Sequence, residues 1–256
     1  MFNTAEANQQ DTNNYDVSRS GIGKAAEIPD RIASLYHLVY QRVLPTLGTH
    51  QREVSAMLSL TLNAKHLILG INSLYRLYSS QMFREARSAC ESTGIAHLIL
   101  KDSKACDAFT KDRINDDQAR RRARNQFKPE KIFAGVNPYL LRLQQRYAEA
   151  SVRAHTNFMS SMKHVHTAPM DEQSNFSMIE INPERADETI KTYLHWSCLV
   201  HMEIIDAVTM AIFPEFDSNA PEFQSERNAI DQIMDQLQEH VARLSWARKQ
   251  PGRKPA

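Results

Sequence analysis

Glycine, cysteine and net charge are all scarce in this chain. Only 7 of its 256 residues are glycine, which excludes a Gly-rich phosphate loop, a collagenous segment and a turn-rich β-sandwich. Three cysteines, Cys90, Cys106 and Cys198, form an odd and sparse set. That speaks against a secreted disulfide scaffold and for a reducing cytoplasm. Lys and Arg number 31 against 30 Asp and Glu, a formal net charge of +1. Such a balance exerts no global pull on nucleic acid or anionic lipid, so any binding of that kind must be local. Residues 1–24 have no apolar run and no secretory core. The most apolar later stretch, 198–213, contains His201, Glu203 and Asp206, groups that are costly in hydrocarbon and argue against a bilayer span. The chain therefore reads as soluble, cytoplasmic and without a membrane partner.

What the chain does have is a helical apolar period and enough length to bury a core. With 42% apolar residues, a chain of this size buries roughly 70–75% of its extended surface. Pro29 and Asp30 open a first helix through Ile32, Leu35, Val39 and Val43, stopped at Pro45. Thr49 caps a long second helix through Leu58, Leu62, Leu69 and Leu77. Ser79 or Ser80 opens a third with Phe83, Cys90, Ile95 and Leu98. Ser103 opens a polar fourth through Phe109 and Ile114 to the arginine run at 120–124, and a loop with Pro129, Gly135 and Pro138 follows. Asn137 and Pro138 start a fifth, reaching about Met162. Residues 167–182 break the period, and Asn175 to Ile181 alternates weakly as a short extended arm. Asn182 and Pro183 start a sixth, to about Phe213. Pro221 starts the last, where Ile230, Met234, Leu237, Val241 and Leu244 recur at 4-3-4-3 spacing, a seam for a neighbouring helix of the bundle or for a second chain.

The fold expected is all-α, a single bundle of about seven helices. Residues 1–24 are expected to be disordered, 25–215 to form the bundle, 216–246 to form a C-terminal helix that folds back or serves as a homodimer arm, and 247–256 to be a disordered basic tail.

Function is sought where polar residues interrupt apolar faces. On the fifth helix Leu140, Leu143, Tyr147, Ala150, Ala154, Phe158 and Met162 fall within about a 120° stripe. Ser151 lies inside that stripe and His155 on its flank, so Tyr147-x3-Ser151-x3-His155 stacks a phenol, a hydroxyl and an imidazole along one edge. Each needs a hydrogen-bond partner there. On the third helix Arg87 and Glu91 stand one turn apart among Phe83, Cys90, Gly94 and Leu98. Arg before Glu is the poorer order for a surface pair, and a half-buried charge pair persists where it fixes packing or serves a ligand. Small Ala150, Ser151 and Ala154 allow close approach, so the third and fifth helices are expected to pack with these two faces in contact.

The stretch YSSQMFREARSACESTGIAHLIL, with Arg87-x3-Glu91 inside it, together with QRYAEASVRAH at Tyr147, Ser151 and His155, resembles uncharacterised bacterial helical proteins related to the broad HEPN group. The resemblance covers about residues 50–165, and Thr156 stands where that family usually has Pro or Gly. It implies an all-helical protein of a defence or stress system, a nuclease or a binding module. HEPN ribonucleases use an Arg, four to six residues, then a His on one helix. Here the only such spacing is Arg31 to His37, when about two are expected by chance.

Two readings of Arg87, Glu91, Tyr147, Ser151 and His155 stay open: a buried polar network that fixes helix register, or a ligand or reaction site. The leading expectation is a binding or regulatory module with a protein or RNA partner. The alternative is a metal-independent ribonuclease or other phosphodiester hydrolase, with His155 as general base, Arg87 neutralising phosphate and Tyr147 orienting the substrate. No cofactor is expected. His164, His166, Asp171 and Glu172, or His195 with Cys198, lack the frame of a zinc site. Cys198 sits among Leu194, Trp196 and Leu199, a core setting that raises a thiol pKa. Arg120, Arg121, Arg122 and Arg124, with Lys128 and Lys131 beyond, form either a solvated helix end or a phosphate-binding patch. Phe127 and Tyr139 lie nearby without the spacing of an RNA-binding motif.

Overall fold

The architecture was obtained as a computed structural model, which describes residues 4–47, 51–110, 125, 127–135, 137–154, 166–167, 179–180 and 183–249. It is all-α. The helices are α1 (Thr4–Gly21), α2 (Ile28–Val43), α3 (Gln51–Leu60), α4 (Asn63–Tyr75), α5 (Ser79–Lys101), α6 (Ser103–Thr110), the single turn α7 (Pro129–Ile132), α8 (Pro138–Ala154), α9 (Pro183–Ala207) and α10 (Pro221–Lys249). A 3-10 turn (Gly23–Glu27) joins α1 to α2, and α9 runs on as a π-helical turn (Val208–Ile212). Two-residue strands at His166–Thr167 and Ile179–Glu180 pair antiparallel, the second within the stretch whose alternation suggested an extended arm.

The centre of the bundle is α5, which packs on α3, α4, α8 and α9. Its core face is built of small side chains, Ala86, Ala89, Cys90, Thr93, Gly94 and Ala96, between Met82, Phe83 and Ile99. Small residues let four neighbours approach one helix closely. Gly94 is the tightest point: a Cβ there would stand 3.0 Å from the Phe133 ring and 3.1 Å from the Ile132 carbonyl. Around α5 the core takes Ile28, Ile32, Leu35 and Tyr36 from α2, Leu67 and Leu74 from α4, and Leu194, Ile204 and Ile205 from α9.

Three elements differ from the sequence reading. Residues 4–21, read as disordered, are helical. The segment is polar, but Tyr15 meets Tyr75 edge-to-face at 5.5 Å, Arg76 lies over the Tyr15 ring, and Tyr78 donates to Asp11 at 2.7 Å. Tertiary anchoring at one tyrosine overrides the composition. The long second helix is divided at Thr61–Leu62. There the Leu60 carbonyl accepts the Tyr40 hydroxyl and Thr61 Oγ1 donates back to the Leu58 carbonyl at 2.7 Å. Carbonyls drawn to side chains interrupt the helical ladder. The inward face of that segment is also different. Leu58, Leu62 and Leu69 are 58%, 46% and 42% exposed, whereas Ala56, Met57, Leu60, Leu67, Ile71 and Leu74 are buried. The segment has two apolar stripes of the same period, and periodicity alone does not choose between them. Gln51–Tyr75 has a mean hydropathy of 1.4 and is 47% buried, and by length and composition alone it could cross a membrane.

Elsewhere the signals hold. Asn137 caps α8, its Oδ1 accepting from the Tyr139 and Leu140 amides at 3.0 and 3.4 Å. Pro183 and Pro221 open α9 and α10. The α10 seam is used within the chain, since Ile230, Met234 and Leu237 are buried against α2 and α9. That is the fold-back alternative of the two left open. Helix α10 continues to Lys249, so the expected tail begins later, beyond the described residues.

Candidate functional site

Helices α5 and α8 pack antiparallel: Gly94 meets Ile132 and Phe133 just before α8 begins, and Phe83 meets Arg153 at its end. The expected meeting of faces is realised at Arg87, whose Cζ lies 5.4 Å from the centroid of the Tyr147 ring. Phe133 supports that ring from the other side at 5.5 Å. Ser151 sits one turn along and donates its hydroxyl to the Tyr147 carbonyl at 2.7 Å. Glu91, one turn from Arg87 on α5, is half-buried. No ion pair joins Arg87 to Glu91, and among the described residues neither has a hydrogen-bonding or carboxylate partner of its own. The structure thus brings Arg87, Tyr147, Ser151 and Glu91 onto one seam. His155 follows α8 directly but lies outside the described residues, as do Arg120, Arg121, Arg122, Arg124, His164, Asp171 and Glu172. Lys128 and Lys131 are exposed beside α7, Phe127 meets Phe109 edge-to-face, and Arg142 lies over Tyr139.

A larger polar network lies on the other side of α8, and the sequence reading missed it. Arg146 grips Glu203 of α9 with two parallel bonds of 2.9 Å and reaches Glu149 at 3.1 Å. Glu149 also accepts from Trp196 Nε1 at 3.0 Å and from Gln145 at 3.2 Å. The hydrogen bond to Glu203 holds Arg146 firmly protonated against the opposing pull of burial. Burial would raise the Glu149 carboxyl, but its bonds from Trp196 and Arg146 outweigh that and keep it below the ordinary range. His195 is depressed, first by burial and then by the Arg146 charge. A signal for this network was present. His201, Glu203 and Asp206 interrupt the most apolar stretch of the chain, and polar groups in such a setting need partners. All three have them: His201 with Tyr36 at 2.9 Å, Glu203 with Arg146, and Asp206 with Arg227.

The three thiols are free and buried. Burial pushes Cys198 well up, and does the same at Cys90, where nearby Glu203 adds to it. Cys198 is therefore a core residue. Among the described residues no three His, Cys, Asp or Glu side chains converge as a metal would require.

A cavity of about 600 Å³ opens between α2 and α10, lined by Ala33, Ser34, His37, Leu38, Glu222 and Glu226. Its carboxylates are held by arginines of α2, Glu226 by Arg31 at 3.1 Å and Glu222 by Arg42 at 2.6 Å. Arg31, the arginine of the Arg31–His37 spacing, is thus engaged in an ion pair between helices. No family model, curated protein or solved structure matches this chain.

Proposed function

We propose that this protein is a binding or regulatory module of the HEPN-like helical kind, cytoplasmic and serving a defence or stress system, with its recognition site on the α5–α8 seam. One observation carries the reading. Arg87 and Glu91 stand half-buried and one turn apart, yet neither is paired with the other or with another described residue. Charges that hold this fold together look different, since half-buried Arg31, Arg146 and Arg227 all meet carboxylates on other helices. An unpaired half-buried charge costs the fold stability. Rigid helices that hold it in place preorganise it for a group from outside.

Two features favour binding over hydrolysis. The Ser151 hydroxyl is spent on the backbone of its own helix, and the Arg87 guanidinium is laid flat against a ring, a holding arrangement. The hydrolytic alternative, a metal-independent ribonuclease with His155 as base, Arg87 on phosphate and Tyr147 orienting the substrate, uses the same seam. If RNA is the partner, Arg120, Arg121, Arg122 and Arg124 would supply phosphate contacts, and affinity would fall steeply with salt. An RNA-cleavage assay on the full chain separates the two classes. Binding without cleavage above the blank is expected. Cleavage that disappears in a folded His155→Ala variant would overturn the binding reading.

A further inference from the structure

A second guanidinium shares the seam with Arg87. Arg153 of α8 lies over two rings, its Cζ 5.3 Å from the Phe83 centroid and 5.9 Å from that of Trp196. Phe83 and Arg87 are one turn apart on α5, and Tyr147 and Arg153 face them across the antiparallel packing. The two cationic seats are therefore about 6 Å apart along the helix axis. A ring under each guanidinium fixes its plane while its N–H edge stays available. The nearest carboxylates of α8 and α9 do not neutralise Arg153. Glu203 is held by Arg146, and the oxygens of Glu149 take Arg146, Trp196 and Gln145.

We propose that Arg87 and Arg153 together bind a phosphomonoester, and that Glu91 accepts a hydrogen bond from the body of the same ligand, the chemical class being a nucleoside monophosphate. This deepens the recognition site argued above and rests on it. A phosphomonoester carries two charges and acceptor oxygens that are not coplanar, so it can serve two guanidinium forks at once, which a flat carboxylate does far less well. Glu91 is an acceptor only. It repels a second phosphate and selects a neighbour that donates, such as a ribose hydroxyl or a base amino group. The seam thus reads one anion and one donor a helical turn away.

The test is calorimetric titration of the full chain with guanosine monophosphate, uridine monophosphate and inorganic phosphate in parallel. The nucleotides are expected to bind, with inorganic phosphate about tenfold weaker or more. Arg87→Gln and Arg153→Gln should each weaken nucleotide binding about tenfold or more. Glu91→Gln should weaken the nucleotides and leave inorganic phosphate unchanged. Should Arg87→Gln fail to fold, Arg153→Gln at an exposed position gives the same readout. The proposal is overturned if neither nucleotide gives heat or a thermal shift at millimolar concentration, if both arginine variants bind like wild type, or if Glu91→Gln has no effect. Such a failure without RNA cleavage would leave the binding reading standing, whereas His155-dependent cleavage would remove that reading itself.

Discussion

Arg146 and Arg87 show two fates of an arginine on the same helix pair. Arg146 and Glu203 are 20% and 13% exposed and doubly bonded, so removal of either partner strands the other. Arg146→Met is expected to lose about 2–4 kcal/mol in urea denaturation, with Glu203→Gln costing less once Arg146 is gone. Two buried histidines set the acid behaviour. Burial depresses His201 to about 3, aided by the charge of His66, and burial with Lys101 lowers His97 to about 4. Both are therefore neutral in the fold, whereas in the unfolded chain they take up protons below about pH 6.5. Their contribution is fully present above pH 6.5 and is lost as pH falls toward those native values. Each should remove on the order of 2 kcal/mol between pH 6.5 and 5. Denaturation midpoints at the two pH values check this, and an unchanged midpoint would contradict it.

At the scale of elements, helix starts were legible because they rest on local chemistry. Asn137–Pro138 gives a side-chain acceptor and a preset φ, and Pro183 and Pro221 work in the same way. Which side of α3 and α4 faces inward was not legible, since both candidate stripes share one period and only the neighbouring helices choose. Leu67→Ala should therefore lose about 2–5 kcal/mol, while Leu58→Ser should stay within about 0.5 kcal/mol of wild type. The reverse ranking would place the other stripe in the core. The α5–α8 meeting was readable from small residues on both helices, and Gly94 sets how close it comes. Gly94→Ala puts a methyl group against the Ile132 backbone, which cannot swing aside as a side chain would, and should cost about 1–3 kcal/mol. A thermal melt with no shift would mean that the seam is looser than described.

For the whole molecule, charge near zero conceals local order. Cross-helix pairs, Arg31–Glu226, Arg42–Glu222, Arg146–Glu203 and Arg227–Asp206, tie α10 to α2 and α9 to its neighbours on both sides. None of these pairings follows from spacing, because each joins residues far apart in sequence. What could be read was the need, in the three polar groups of the most apolar stretch. The candidate site was half legible for the same reason: a projection of single helices found Arg87, Glu91, Tyr147 and Ser151, while Arg153 required knowledge of what lies under it. The α10 seam is spent inside the bundle, so Ile230→Asp should unfold the chain at every protein concentration rather than merely shift an association equilibrium.

The account stands on Arg87 being held for something other than the fold. Urea denaturation of Arg87→Met beside wild type tests this most directly. Methionine keeps the apolar stem against Tyr147 and removes a half-buried charge with no carboxylate to strand. Stability is expected to stay within about 1 kcal/mol of wild type or to rise. A loss of about 3 kcal/mol or more, of the size seen when a buried ion pair is broken, would show that Arg87 is a structural residue and contradict the account.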